Sequence, residues 1–265
     1  MNEEKNLRYV GELWDNSILP SLADYVKIPA KSPLFDANWE TNGYMEDAVE
    51  LMLTWVKKQD VQGLQIEVHR LPGKTPTILM SLDGDSNDTV LIYGHLDKQP
   101  EFNGWEAGLG PYEPVFRDGK LYGRGGADDG YAIYSAIAAI KSIQAQNLRL
   151  PRTVILIEAS EESGSPDLPF YMDELEDTIS EPGLVIALDS TAGNYDQLWI
   201  TTSLRGMLIA DLTVRVLTEG VHSGAAGGIV PSSFRLLRQI ISRLEDENTG
   251  VILPDFLNEQ VPDVR

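Results

Sequence analysis

The sequence contains no cysteine in its 265 residues. That excludes a disulfide framework, a thiolate zinc site and a cysteine nucleophile, so any metal is held by nitrogen and oxygen. Positive charge is also scarce: 21 Lys and Arg stand against 41 Asp and Glu, for a net charge of −20. Nucleic-acid and anionic-membrane surfaces need clustered Lys and Arg, and the balance argues against both. It favours solubility, and an acidic soluble protein is the plainer reading than an acidic-partner role. No run reaches the roughly 18 uncharged apolar residues of a membrane span. Residues 1–15 mix charges with single apolar residues and lack the apolar core of a signal peptide, so a cytoplasmic protein is expected. Also missing are the Gly-x-x-x-x-Gly-Lys-Ser/Thr phosphate loop, the dinucleotide glycine spacing and the Gly-x-Ser-x-Gly elbow of serine hydrolases.

The chain is long enough to bury a substantial core as one large domain, or one domain plus part of another. Apolar residues recur at helical spacing over residues 7–26 and 44–58, and an Ala- and Ile-rich helical pattern covers 130–145. Strand-like runs occupy 64–71, 77–82, 89–93, 153–158 and 184–188. Alternating strands and helices predict an α/β three-layer sandwich around a mostly parallel sheet, with its site at the carboxyl ends of the strands. The texture changes near residue 201. Residues 206–216 read as an antiparallel strand, and a helix is expected over 231–244. The expected division is 1–202, then 203–265 as the start of a smaller α+β domain.

Metal-type side chains fall where these strands stop. His95-Leu96-Asp97 follows the 89–93 run, and residues two apart on a strand share a face, so His95 can bind an ion while Asp97 fixes its tautomer. Alone, His-x-Asp is a common structural pair. Asp128-Asp129 follows Gly-Arg-Gly-Gly-Ala directly before a helix. Helix capping would explain one aspartate, whereas two in succession suggest that at least one is aimed at an ion. Glu161-Glu162 follows the most apolar strand. Such pairs are often idle surface charge, but here one carboxylate can bind metal while its neighbour takes a proton from a water. Asp189 ends the next strand, where a turn or cap role is the simple alternative. His222, in the second segment, is by default an exposed or satisfied histidine, and His69 is assigned to structure.

In this order, Tyr93-Gly94-His95-Leu96-Asp97, the Asp118-to-Asp129 stretch, Glu161-Glu162-Ser163-Gly164-Ser165, Asp189 and His222-Ser223-Gly224 resemble a di-zinc metallopeptidase family. That family contains carnosinase-type dipeptidases, glutamate carboxypeptidase, acetylornithine deacetylase, succinyl-diaminopimelate desuccinylase and aminoacylase. The resemblance implies two divalent metal ions, with zinc the expected element: His95 and Asp189 on one, Asp128 bridging, and Glu162 on the second. It implies Glu161 as general base, Asp97 orienting His95, and a cis bond between Asp128 and Asp129. It further implies that His222 belongs to a lid domain and stabilises the oxyanion in a neighbouring subunit, hence a homodimer.

Gln99-Pro100 and the Asp-Asp pair look closer to the dipeptidases than to the deacylases, although Gly130 stands where many relatives carry Lys. The expected reaction is hydrolysis of a dipeptide or short peptide beside a free carboxylate. An N-acyl amino-acid deacylase with the same metals, and a non-catalytic interaction module, are the alternatives. Family members run past this length and supply a further histidine to the second zinc, whereas none follows His222. A truncated product is therefore expected, holding the first ion better than the second and having little activity.

Overall fold

The structure is a computed structural model that describes residues 2–86, 88–204 and 206–258. Chain contacts divide it into two compact units, Met1–Ile200 and Thr201–Arg265.

The first unit opens with α1 (Glu3–Leu13), whose start is capped by the Asn2 side chain accepting from Lys5 N–H at 2.9 Å. A wide turn leads into α2 (Leu19–Val26), followed by the short α3 (Trp39–Asn42) and then α4 (Tyr44–Lys58). Acidic Glu46 and Asp47 begin α4 and Lys57 and Lys58 end it, matching the helix dipole. Met45, Ala48, Val49, Met52 and Val56 form its buried stripe. The strands are β1 (Gln65–His69), β2 (Thr77–Leu82), β3 (Thr89–His95), the short hairpin β4 (Val115–Arg117) and β5 (Lys120–Tyr122), β6 (Arg152–Glu158) and β7 (Leu184–Ala187). Between β5 and β6 runs α5 (Tyr131–Ala145), and between β6 and β7 lie α6 (Leu168–Glu174) and α7 (Glu176–Ile179).

The main sheet has the order β1-β2-β6-β3-β7. β6, β3 and β7 are parallel, while β1 and β2 add antiparallel pairings at one side. The sheet is therefore mixed, and its parallel part carries the candidate site. Strand side chains alternate between two cores, as period-two geometry requires. Ile78, Met80, Ile92, Ile155 and Ile157 pack with residues of α2, α4 and α5. Leu79, Leu91, Val154 and Leu156 pack with Tyr171 of α6, Ile179 of α7 and Leu175 between the two helices. Helices thus cover both faces, giving the three layers expected.

The second unit contains α8 (Ser223–Ala226) and α9 (Ser233–Ile241), the latter capped by Ser232. The antiparallel strand expected over 206–216 does not form among the described residues. Alternating apolar residues mark a face to be covered, but a strand also needs a partner for its backbone groups, and none pairs there. Met207 and Ile209 are accordingly 74% and 79% exposed.

Candidate metal centre

The parallel register brings the ligand-type residues to one edge. β3 and β6 align so that His95 stands opposite Glu158, and β3 and β7 align Tyr93 with Ala187. Asp189 lies two residues past Ala187, as His95 lies two past Tyr93. The Leu188 N–H donates to Tyr93 O at 2.9 Å and continues that pairing. His95 is 1% exposed, and its Nε2 faces three carboxylates: Asp128 Oδ1 at 3.3 Å, Glu161 Oε2 at 3.7 Å and Asp189 Oδ2 at 3.8 Å. Two three-residue sets, His95 with Asp128 and Asp189, and His95 with Glu161 and Glu162, each bring one donor atom per residue within 4.8 Å of the others.

These donors fit a hard divalent cation. His95 Nε2 and Glu162 Oε1 are buried and have no hydrogen-bond partner among the described residues, which in native proteins calls for a group that satisfies them. Nitrogen and carboxylate oxygen are the ligands zinc accepts when thiolate is absent. The field agrees. Burial disfavours a charged imidazole, yet the carboxylates of Asp128 and Asp97 outweigh it and push the His95 pKa up to about 11. Positive charge is wanted at this spot. Burial pushes Glu162 up to about 7 and raises Glu161 and Asp189, while contact with His95 holds Asp128 low.

Asp97 is fully buried and makes two connections. Its carbonyl oxygen lies 3.1 Å from His95 Nδ1, and its carboxylate 3.4 Å from the same atom. That carboxylate also accepts the N–H groups of Glu161 and Glu162 at 3.2 and 3.1 Å. One side chain therefore fixes both the imidazole and the turn that carries the paired glutamates. The far side of this turn is held by Ser163, whose hydroxyl meets that of Ser32 at 2.5 Å and accepts from Leu34 N–H at 2.9 Å.

The peptide bond between Asp128 and Asp129 is cis. Neither residue caps α5, which follows Gly130 without a side-chain cap. The Asp128 side chain is 52% exposed and faces His95. Asp129 is buried, and its Oδ2 accepts the His95 N–H at 3.1 Å. Burial raises the Asp129 carboxyl to about 8.

Several supporting groups have no site role assigned by the sequence. Gln99 Nε2 donates to Glu162 Oε2, and the Tyr131 hydroxyl donates to Leu188 O beside Asp189. Glu158 is buried at the end of β6 and accepts from Tyr93 Oη at 2.6 Å, Ser165 Oγ at 2.8 Å and Ser160 Oγ at 3.1 Å. The only sequence signal for Glu158 is a carboxylate closing an otherwise apolar strand. His222 belongs to the second unit, where it is exposed and its Nδ1 accepts from Gly224 N–H at 3.1 Å. His69, at the end of β1, lies between Glu67 at 3.3 Å and Glu174 at 3.7 Å.

Comparison with known proteins converges on the same stretch. Residues 91–197 match the family described as peptidase family M20/M25/M40. The human Beta-Ala-His dipeptidase is 31% identical over 190 residues, covering 71% of this chain and 38% of the relative. The Saccharomyces cerevisiae Cys-Gly metallodipeptidase is 32% identical over 199 residues, covering 70% and 40%. The chain thus spans about two fifths of the length of these relatives. The crystal structure of human carnosine dipeptidase 1 superposes with a TM-score of 0.60 at 24% identity, over 98% of this chain and 56% of that one. Family match and shared fold meet on the strand ends that carry His95, Asp128, Glu161, Glu162 and Asp189, and the chain belongs to peptidase family M20/M25/M40.

Proposed function

We propose that this chain carries the metal-holding part of a metallopeptidase that hydrolyses the amide bond of dipeptides or short peptides. The observation that carries the reading is the convergence of His95, Asp128, Asp189, Glu161 and Glu162 at the ends of parallel strands, with buried donor atoms left unpartnered. The dipeptidases among its relatives support the substrate class. His95, Asp128 and Asp189 would hold one ion, and Asp128 and Glu162 would contribute to a second, with zinc the metal that suits the donors. A divalent ion there supplies Lewis acidity to the substrate carbonyl and acidifies a water.

The protein's own groups do the rest. Glu161 accepts the proton of the attacking water and returns it to the leaving amine, and its burial-raised pKa moves a carboxylate toward the basicity that this transfer needs. Asp97 keeps the His95 ring and the Glu161–Ser163 turn in register. His222, exposed on the second unit, is proposed to stabilise the oxyanion of a partner subunit in a homodimer. The apolar side chains exposed on that unit, such as Leu204 and Ile209, support a covering partner. A cytoplasmic location belongs to the same proposal.

The test is a panel of dipeptides against N-acetyl and N-succinyl amino acids with added divalent metal, for the wild type and Glu161→Gln. Dipeptide turnover is expected at the low level of a site short of one histidine, with a further loss of about 10²-fold or more in Glu161→Gln at unchanged metal content. Unchanged turnover would overturn the base assignment, loss of metal would make Glu161 a ligand, and preference for acyl amino acids would replace the peptidase with a deacylase.

A further inference from the structure

Glu158, the last residue of β6, is 2% exposed and forms no ion pair among the described residues. Three hydroxyls satisfy it instead: Tyr93 Oη donates to Oε1 at 2.6 Å, Ser165 Oγ to the same atom at 2.8 Å, and Ser160 Oγ to Oε2 at 3.1 Å. The β3–β6 register accounts for the first, because Tyr93 stands opposite Leu156 and so meets Glu158 diagonally on the same face. The other two hydroxyls come from the first and last residues of the 160–165 turn, which carries Glu161 and Glu162. The backbone closes the same turn, since Ser160 O accepts the N–H groups of Ser163 at 3.1 Å and Ser165 at 3.0 Å. Ser165 holds φ +53°, a left-handed conformation uncommon for a serine.

Burying a carboxylate without a counter-charge is costly, so its presence at the end of an apolar strand needs an explanation. It is not a ligand, because its oxygens are taken by hydroxyls and it belongs to neither donor set. What a carboxylate offers here is two acceptor-only oxygens with room for three O–H donors at once. Asp97 grips the N–H groups of Glu161 and Glu162 in the middle of the turn, and Glu158 ties its two ends to β3 and β6. Between them sits Glu161, with Oε2 3.7 Å from His95 Nε2. Such placement matters for proton transfer, where an error of about 1 Å can cost about 10²-fold in rate.

We propose that Glu158 is a positioning residue, clamping both ends of the 160–165 turn so that Glu161 is held where it can take the proton of the attacking water. This assignment rests on reading Glu161 as the base of a peptidase centre.

The experiment pairs amide hydrogen exchange of the full chain, without added metal, with the kinetics of the zinc-loaded protein on the dipeptide it hydrolyses fastest. In Glu158→Met the amides of residues 161–165 should exchange roughly tenfold faster or more, beyond any change shared by β3 and β6. Its kcat should fall about tenfold or more with KM within about twofold. Glu158→Gln, which still accepts from Tyr93 and Ser165 and can donate to Ser160, should restore both to within about threefold of the wild type. If Glu158→Met does not fold, the double variant Ser160→Ala/Ser165→Ala removes two of the three donors and should show the same pattern. An unloosened turn, a loosening spread equally over β3 and β6, an unchanged kcat in a loosened turn, or a Gln variant no better than Met would overturn the proposal. If the turn loosens as expected but the wild type hydrolyses no peptide of the panel, the peptidase reading fails while Glu158 stands as the clamp of the turn.

Discussion

A single lysine shows how strongly surroundings decide a side chain's chemistry. Lys98 is 0% exposed, and its Nζ donates at 2.8, 3.3 and 2.7 Å to the carbonyls of Tyr25, Val26 and Ile28, closing the end of α2. It also lies 3.9 Å from the Tyr25 ring centre. Room for it depends on Gly125 at φ +86°, since a Cβ there would sit 2.5 Å from Lys98 Cε. Burial, aided by the charge of Arg124, brings the Lys98 pKa down to about 7. An unfolded lysine keeps its proton to about pH 10.4. Between those values the unfolded chain binds the extra proton, so this residue makes stability rise with pH across that window and leaves it flat below it. Urea unfolding between pH 6 and 10 should reveal this upward component in the wild type and its absence in Lys98→Met. The same slope in both proteins would refute the assignment.

Between elements, the contact that matters most for the site is β3 against α5. Gly94 allows it: a Cβ at that position would stand 2.4 Å from Ala132 Cβ and 2.7 Å from Asp129 Oδ2. Neither neighbour is a flexible chain end, so Gly94→Ala must push the strand and the helix apart. A cost of about 1–3 kcal/mol is expected from such overpacking. The shift would also disturb the Asp129 carboxylate that receives the His95 N–H, so zinc affinity should fall with stability. Denaturant unfolding and chelator competition measure the two effects. A stability change under ~0.5 kcal/mol with unaltered affinity, typical of an innocuous surface change, would show that the elements adjust freely.

For the molecule as a whole, divalent metal should act as part of the folding free energy. Burial, with repulsion between neighbouring carboxylates added to it, makes negative charge costly here, raising Glu162 to about 7 and Asp129 to about 8. An ion that binds the folded form stabilises it by about 2.7 kcal/mol at a hundredfold excess over its dissociation constant. For a body of this size that is a rise in Tm of roughly 5–10 °C. Zinc titrations followed by thermal unfolding should show a concentration-dependent rise that disappears in His95→Ala. The rise should be larger at pH 8 than at pH 6, because below about pH 7 the ion must displace the proton on Glu162. A Tm indifferent to zinc, manganese and cobalt would remove the metal from the reading.

What the sequence determined by itself lies in its local periodicities and in the positions of its charged residues. The stripe Met45, Val49, Met52 and Val56 announces α4, and the apolar run into Glu158 announces β6, because which side of an element is buried is recorded every two or every three to four residues. The absence of cysteine limits any metal site to nitrogen and oxygen donors, and the order of the motifs identifies the family.

Only the tertiary structure decided how equivalent neighbours divide. Asp128 and Asp129 read alike in their local chemistry, and only the resemblance singles out Asp128; in the fold one is half exposed toward His95 and the other is sealed behind it on a backbone N–H from 34 residues away. Asp97 reads as a partner for His95, and only the fold shows its carboxylate also gripping the turn at Glu161 and Glu162, 64 and 65 residues on. The antiparallel pairings of β1 and β2, and the missing strand at 206–216, were hidden for the same reason. Pairing and side-chain direction depend on which distant segment comes alongside, and periodicity along the chain carries no record of that.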